Sequence, residues 1–166
     1  VILCNKGDMP DTSLPKPLCF EELISSEAST ISWPKLDERA ASSLCYTSGT
    51  TGNPKGVLYS HRSILLHTFG MLTFAADVGL TPSSTVLPVV PLFHANAWGL
   101  PFAVPLVGAK LVFPGAALDG ASLFSLMDRE RVKAAWGVPT IWLGLLAEMR
   151  KQKRKPQDFS FMLSGG

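Results

Sequence analysis

The sequence predicts an α/β fold with a mostly parallel sheet that is covered by helices on both faces. Short apolar segments of strand type alternate with helical patterns of ten or more residues, which is typical of parallel sheets joined by crossover helices. Hydrophobic residues make up 46% of the 166-residue chain and charged residues 17%, so the chain is expected to bury a core. A net charge of +2 gives no reason to expect nucleic acid or an anionic membrane as a partner.

Residues 1–40 are predicted to form a lead-in to this core. Val1–Cys4 has the pattern of a strand end, Met9–Pro17 is a proline-punctuated loop, and Phe20–Ser26 favours a short helix. A polar connector that contains Trp33 and Pro34 then runs to Ala40.

Residues 41–166 are predicted to contain the core itself. Strands are expected over Ser42–Thr47, Val57–Ser60, Thr85–Val90, Lys110–Phe113, Val132–Val138 and Phe159–Leu163. Helices are expected over residues 61–76, 95–106, 119–129 and 139–152. Ser60 and Asp119 have the side chains of helix N-caps, and Pro139 suits a first helical position. The helix after Ser60, which His61 begins, carries two apolar rows and is expected to be mostly buried.

The segment between Asp77 and Lys110 contains no Asp, Glu, Lys or Arg, but it does not predict a transmembrane helix. Five prolines interrupt it, and His94 and Asn96 are polar, so a buried core or an apolar tunnel is favoured.

The cysteines and the basic run are both interpreted structurally. Cys4, Cys19 and Cys45 are widely spaced, without a Cys-x-x-Cys pair or a preceding secretion signal, which predicts free thiols, no zinc site and a cytoplasmic location. Arg150–Lys155 places five cations in six positions at the end of a predicted helix. There they complement the helix dipole, and this interpretation is favoured over a contact with phosphate or CoA.

The strongest functional signal is the segment Tyr46–Gly56, which combines hydroxyl side chains, three glycines and one lysine. Glycine lets backbone N–H groups approach phosphate oxygens, hydroxyls add donors, and Lys55 adds a positive charge. The common P-loop is excluded because Lys55 follows Pro54 and leads into a strand. The pattern predicts a loop that wraps a polyphosphate, and a plain turn is the weaker alternative.

This segment resembles the Tyr-Thr-Ser-Gly-Thr-Thr-Gly-x-Pro-Lys-Gly-Val signature of the adenylate-forming enzymes, and every fixed position matches. That family includes acyl-CoA synthetases, firefly-type luciferases and peptide-synthetase adenylation domains. The resemblance implies that Lys55 and the loop hold the β- and γ-phosphates of ATP and that the Thr47 hydroxyl contributes to Mg²⁺ coordination. The implied loop residues are Ser48, Gly49, Thr50, Thr51 and Gly52.

A second segment, Pro91–Gly99, places an imidazole and an indole in apolar surroundings after a predicted strand. Taken alone, His94 and Trp98 are better interpreted as core residues. However, the His-x-Asn-Ala-Trp pattern resembles the pocket motif of bacterial medium- and long-chain fatty acyl-CoA synthetases. The resemblance implies that His94 lies beside the acyl-adenylate and that Trp98 gates the fatty-acid tunnel.

The substrate implied by this resemblance is an acid without an amine. Amino-acid-activating relatives usually carry an Asp near here to pair with the substrate ammonium, and Pro91–Gly99 has none. An apolar channel around Trp98, Trp136 and Trp142 would suit an alkyl chain, since each buried methylene contributes about 0.8 kcal/mol.

Two further segments match the family more weakly. Gly137, Val138 and Pro139 would border the acyl pocket, while Gly165 and Gly166 would border the adenine and acyl sites. An ordinary strand end and an ordinary turn explain these residues equally well.

The resemblance implies a fatty acid–CoA ligase with ATP, Mg²⁺ and CoA as its small-molecule partners. The acid would attack the α-phosphorus of ATP to give an acyl-adenylate and pyrophosphate, and the CoA thiol would then displace AMP. Lys55 and His94 are the candidate catalytic residues. The chain is expected to be a fragment of a large N-terminal domain that lacks the C-terminal domain and is inactive alone. A fatty acyl-AMP ligase, a luciferase-like oxidase and a non-catalytic nucleotide-binding module remain as alternatives.

Overall fold

The computed structural model describes residues 2–3, 9–47 and 52–165. The chain divides into two compact units, residues 1–36 and residues 37–166. In the first unit, strands β1 (Ile2–Leu3) and β2 (Leu18–Cys19) pair in parallel, and helix α1 (Phe20–Ser25) follows β2 directly. The predicted short strand and short helix of the lead-in are confirmed.

The second unit begins with an antiparallel hairpin. Strand β3 (Ala41–Thr47) pairs with β4 (Lys55–Ser60), and Thr47 lies opposite Lys55 in the register. The connection is too short for the crossover that a parallel pair requires, so the chain must return antiparallel.

Four strands then form a parallel sheet. They are β5 (Thr85–Pro88), β6 (Lys110–Leu111), β7 (Ala134–Gly137) and β8 (Phe161–Ser164), in the spatial order β6-β5-β7-β8. The chain passes between them through helices, as is usual for parallel neighbours. The predicted α/β class is confirmed.

The helices of this unit, apart from the one that follows Gly99, begin where Ser60, Asp119 and Pro139 predict. They are α2 (His61–Leu72), α3 (Leu100–Leu106), α4 (Gly120–Glu130) and α5 (Pro139–Gln152). The backbone N–H of Ser63 donates to the Ser60 hydroxyl at 3.1 Å, and that of Ser122 donates to the Asp119 carboxylate at 3.0 Å. Hydrogen bonding from Ser122 also lowers the pKa of Asp119 below its ordinary value.

A hydrophobic core lies on each face of the parallel sheet. Successive residues of a strand point to opposite faces, so Val86 packs in one core and Leu87 in the other. The Leu87 core contains Leu123 of α4 and Leu145 of α5, whereas the Val86 core contains residues of α2 and α3. Helices therefore cover both faces, as predicted.

The expectation that the helix after Ser60 is mostly buried is wrong. Helix α2 ends at Leu72, and only Thr68 and Met71 are buried in it. Three of its apolar side chains are about half exposed, namely Leu65 (51%), Leu66 (57%) and Phe69 (50%). Within the described residues, the main contacts of α2 are with α3 and β4, and these leave Leu65, Leu66 and Phe69 about half exposed.

One residue of the basic run, Arg154, makes a structural contact just beyond the helix. Helix α5 ends at Gln152, and the Arg154 guanidinium then pairs with the carboxylate of Asp128 in α4. The guanidinium carbon lies 4.6 Å from the centroid of the Phe124 ring. Arg154 and the backbone N–H of Gln157 together hold the pKa of Asp128 below its usual range. This part of the basic run joins α5 to α4.

Candidate active site

The β3–β4 hairpin carries the phosphate-loop signature on its connection. Ser48–Thr51 and Gly166 lie outside the described residues, so the predictions made for them stay predictions. Thr47 and Lys55 are both exposed and face each other as the last and first residues of the paired strands. Paired Cα atoms in such a ladder are about 4.5–5.5 Å apart, so a hydroxyl and an ammonium group flank the loop. Gly52 has a φ of 129°, a backbone conformation that residues other than glycine rarely adopt.

The segment after β5 contains a left-handed turn instead of the predicted helix. Ala95, Asn96, Ala97 and Trp98 have φ values of 46°, 52°, 46° and 55°, and a right-handed helix begins only at Leu100. This conformation costs about 1–2 kcal/mol for each non-glycine residue, so the surrounding structure must hold it in place. The prediction of one interrupted helix over residues 95–106 is therefore wrong in its first turn.

Gly99 lets this turn pack closely against α2. Its φ is 81°, and a Cβ placed on it would lie 2.7 Å from two atoms of the His67 ring and 3.1 Å from the sulfur of Met71. Any side chain at this position would have to displace the His67 ring or the turn, and the positive φ would strain it in addition.

A cavity of about 440 Å³ lies between the turn, α2 and β4. Its lining residues are Tyr59, Ser63, Ile64, His67, Ala95, Asn96, Trp98, Gly99 and Phe102. Most of this lining is apolar, and the half-buried Trp98 indole contributes to it. Trp98 was predicted to line an apolar channel, and it does line this cavity.

Several cavity residues were missed by the sequence analysis. Ser63, Ile64 and His67 are spaced so that they share one face of α2, and this spacing was the available signal. Tyr59 and Phe102 reach the cavity only because β4 and α3 pack beside the turn, which no local pattern reveals.

The ends of β7 and β8 meet below Trp98. The backbone N–H of Gly165 donates to the carbonyl of Gly137 at 3.2 Å. A Cβ placed on Gly165 would lie 3.1 Å from Cη2 of Trp98, so the end of β8 touches the indole. Val138 follows Gly137 directly as the N-cap of α5, and Pro139 is the first residue of that helix. The sheet thus brings Trp98, Gly137 and Gly165 together.

His94 occupies a different position from Trp98. It precedes the left-handed turn, its side chain is exposed, and it is not part of the cavity lining. Its carbonyl accepts a hydrogen bond from the Ala97 N–H at 3.0 Å, which helps to close the turn.

The expected channel around three tryptophans is not present. Trp142 of α5 packs in the core on one face of the sheet, whereas Trp136 packs in the opposite core with Trp98 at its edge. Gly137 leaves room for Trp142, because a Cβ there would lie 2.8 Å from its ring. Since α5 covers the face opposite the cavity, Trp142 cannot line it.

Neither a metal cluster nor a membrane span is found in the described part of the chain. Residues 2–3, 9–47 and 52–165 contain no group of three or more His, Cys, Asp or Glu side chains that could hold a metal ion. Within the same ranges no helix is long and apolar enough to cross a bilayer. Cys19 and Cys45 are free and buried, in agreement with the expected thiols.

The signature carried by the β3–β4 hairpin indicates a nucleotide-binding enzyme, and Tyr59 of the same hairpin lines the apolar cavity. The chain belongs to the AMP-binding enzyme family, whose model matches residues 6–166.

Similar curated proteins are CoA ligases. The chain is 49% identical to a medium-chain-fatty-acid–CoA ligase of Ectopseudomonas oleovorans, with 100% of the chain and 30% of the relative covered. It is 51% identical to a 3-methylmercaptopropionyl-CoA ligase of Ruegeria pomeroyi, with 89% and 27% covered. A long-chain-fatty-acid–CoA ligase of Thermus thermophilus is 45% identical, with 90% and 27% covered. The chain therefore spans less than a third of these relatives.

Solved structures show the same architecture. The anthranilate CoA ligase AuaEII in complex with anthranoyl-AMP superposes with a TM-score of 0.79 at 25% identity, covering 98% of this chain and 30% of that one. The o-succinylbenzoate CoA synthetase of Bacillus subtilis in complex with ATP and magnesium ion gives a TM-score of 0.71 at 26% identity, covering 91% and 30%.

Proposed function

We propose that this chain supplies the phosphate loop and part of the acyl pocket of a fatty acid–CoA ligase. The observation that carries the proposal is that one hairpin holds the signature lysine and a residue of the apolar cavity wall. Tyr59 of β4 lines the apolar cavity, while Lys55 begins the same strand beside the signature loop. Four residues of extended strand span about 13 Å, a distance that the acid and the triphosphate of ATP could bridge together when they are aligned for attack on the α-phosphorus.

In this proposal the chain acts by positioning and by charge neutralisation. Lys55 and the loop N–H groups would hold the β- and γ-phosphates while the acid carboxylate attacks the α-phosphorus. Pyrophosphate leaves, and the CoA thiol then displaces AMP from the acyl-adenylate. A protein nucleophile is not required for either step.

Among the described residues, Thr47 is the candidate ligand for a magnesium ion that would arrive with the nucleotide. Mg²⁺ prefers oxygen ligands and commonly takes most of them from phosphates and water, and Thr47 offers one hydroxyl beside the loop. Bound there, the ion would neutralise charge on the phosphates.

The apolar cavity supports a carboxylic acid with an alkyl tail. Tyr59, Ser63 and His67 add polar groups to its wall, so a short acid that carries a heteroatom is a second candidate substrate. The similarity to the 3-methylmercaptopropionyl-CoA ligase favours testing a thioether acid in particular.

An AMP-release assay with the full-length protein tests the proposal. Straight-chain acids from short to long, and 3-methylmercaptopropionate, are incubated with ATP and Mg²⁺, and AMP release is measured with and without CoA. We expect AMP release that depends on both the acid and CoA. Acyl-adenylate without CoA-dependent release would indicate an acyl-AMP ligase or an oxidase, and nucleotide binding without pyrophosphate release would indicate a non-catalytic module.

A further inference from the structure

The side chain of Asn96 connects the left-handed turn to strand β3. Its Nδ2 donates to the hydroxyl of Ser43 at 3.0 Å, and the Cys45 thiol donates to its Oδ1 at a sulfur–oxygen distance of 3.4 Å. Both ends of the carboxamide are thus used, on residues about fifty positions earlier in the chain. We call this pair of hydrogen bonds the Asn96 bridge.

The bridge ends on the strand face that leads to the phosphate loop. Alternate residues of a strand share a face, so Ser43, Cys45 and Thr47 lie on the same side of β3. Thr47 is the last residue of that strand and the first threonine of the signature. Cys45 is only 4% exposed, so the bridge sits in the packed part of this contact.

The backbone at position 96 also favours asparagine. Its φ of 52° lies in the left-handed region, where asparagine is several-fold enriched among residues other than glycine. Glycine would adopt this φ readily but could not form the two hydrogen bonds of the bridge. Alanine would be strained at this φ and could not form them either. Position 96 therefore requires both the conformation and the carboxamide.

We propose that Asn96 is a positioning residue that fixes the turn carrying Trp98 against the strand that enters the phosphate loop. It would hold the acid and ATP in register for the attack on the α-phosphorus. The proposal rests on the proposed function, and it names a role for Asn96 that does not depend on contact with the reacting atoms.

Because Asn96 also lines the cavity, its role must be separated from direct contact with the acid. Ser43 allows the two roles to be distinguished, because it accepts one of the two hydrogen bonds of the Asn96 bridge and is not part of the cavity lining. Ser43→Ala removes the bond, while Ser43→Thr keeps a hydroxyl and should restore function. Ser42→Ala is the matched control, because Ser42 is exposed and takes no part in the Asn96 bridge.

The first measurement is acid-dependent pyrophosphate exchange by the full-length protein. We expect Asn96→Gly and Ser43→Ala each to lower kcat/KM about three- to tenfold, the range that one net hydrogen bond gives. The double variant should be no worse than Asn96→Gly, because both substitutions break the same link. A loss in Asn96→Gly with normal exchange in Ser43→Ala would show that Asn96 acts through substrate contact and would overturn the proposal.

The second measurement does not depend on activity. Alkylation by N-ethylmaleimide is followed by mass spectrometry of the Cys45 peptide, with the buried Cys19 as internal reference. We expect Cys45 to react faster relative to Cys19 in Asn96→Gly and Ser43→Ala than in the wild type. Unchanged labelling in both variants would refute the bridge. If the wild type showed no exchange with any acid, the proposed function would fail, while the labelling would still decide whether the bridge exists.

Discussion

Gly165 lies directly against the indole of Trp98, since a methyl group on Gly165 would come within 3.1 Å of Cη2 and 3.4 Å of Cζ2 of that ring. The contact joins the end of β8 to the left-handed turn and thereby sets the position of the cavity wall. A side chain at Gly165 can be accommodated only if the ring moves, and the adjacent cavity is the space available to it.

Substitutions at this contact should change acyl preference. We expect Trp98→Ala to enlarge the cavity and favour longer acids, and Gly165→Ala to push the ring into the cavity and favour shorter ones. The ratio of kcat/KM for a long and a short acid should change by about tenfold or more, the size of discrimination that one methylene can give in a hydrophobic pocket. The KM for ATP should change less than this ratio.

Gly70→Ala is a suitable control for the added methyl group, because a Cβ there meets nothing within 4 Å. An acyl profile that is the same in the wild type, Trp98→Ala and Gly165→Ala would remove Trp98 from the role of gate.

Loss of the Lys55 ammonium should impair adenylation. Lys55 stands opposite Thr47 beside the signature loop, where it can neutralise charge on the phosphates. We expect Lys55→Ala to lower acid-dependent pyrophosphate exchange by about 10²–10³-fold, as removal of one transition-state donor does in other enzymes. Lys35→Ala, an exposed lysine in the connector, should behave as the wild type. Near-normal exchange in Lys55→Ala would contradict the role of the loop.

The parts of the fold that were predictable depend on local chemistry. Ser60 and Asp119 could be identified as caps because a capping side chain bonds to a backbone N–H three residues away. The strands of the parallel sheet were recognisable as short apolar runs, since a strand buried on both faces has no polar side.

The parts that were missed depend on distant contacts. Nothing in Ala95, Ala97 or Trp98 favours a positive φ, and the left-handed turn persists because Asn96 and Gly99 fit against β3 and α2. The position of Trp142 was missed for a similar reason, because the sheet face that α5 covers is set by the path of the whole chain.

The contact between α4 and α5 should be disrupted by an alanine at Gly120 but should tolerate an alanine at Gly144. A Cβ on Gly120 would lie 2.1 Å from the carbonyl oxygen of Gly144, and backbone atoms cannot move aside as a flexible side chain can. We expect Gly120→Ala to lower the free energy of unfolding by about 3 kcal/mol. Gly144→Ala meets nothing nearer than 3.7 Å and should be neutral or stabilise by up to about 1 kcal/mol, since alanine is the better helix former.

The midpoints of urea unfolding of the two glycine variants and the wild type provide the measurement. Equal midpoints for Gly120→Ala and Gly144→Ala would show that the helices do not approach as closely as described.

The pairing of Asp128 with Arg154 should make stability depend on pH at the acid end. Arg154 and the Gln157 N–H lower the pKa of Asp128, so the folded state binds the proton of this carboxyl less tightly than the unfolded chain does. The stabilisation is therefore fully present above the unfolded-state pKa of about 3.9 and is lost as the pH falls through the lower folded-state value. The Arg154 side chain is 50% exposed, so solvent screening keeps the effect modest.

Asp128→Asn should accordingly be less stable than the wild type at pH 7, because it removes the charge that pairs with Arg154. The gap between their urea midpoints should narrow as the pH falls below about 4, because the wild-type carboxyl takes up a proton first in the unfolded chain and then, at lower pH, in the folded protein. Asp77→Asn, at an exposed aspartate, controls for the general effect of losing one negative charge. A gap that stays constant from pH 7 to about pH 3 would contradict a contribution of the Asp128 charge to the contact between α4 and α5.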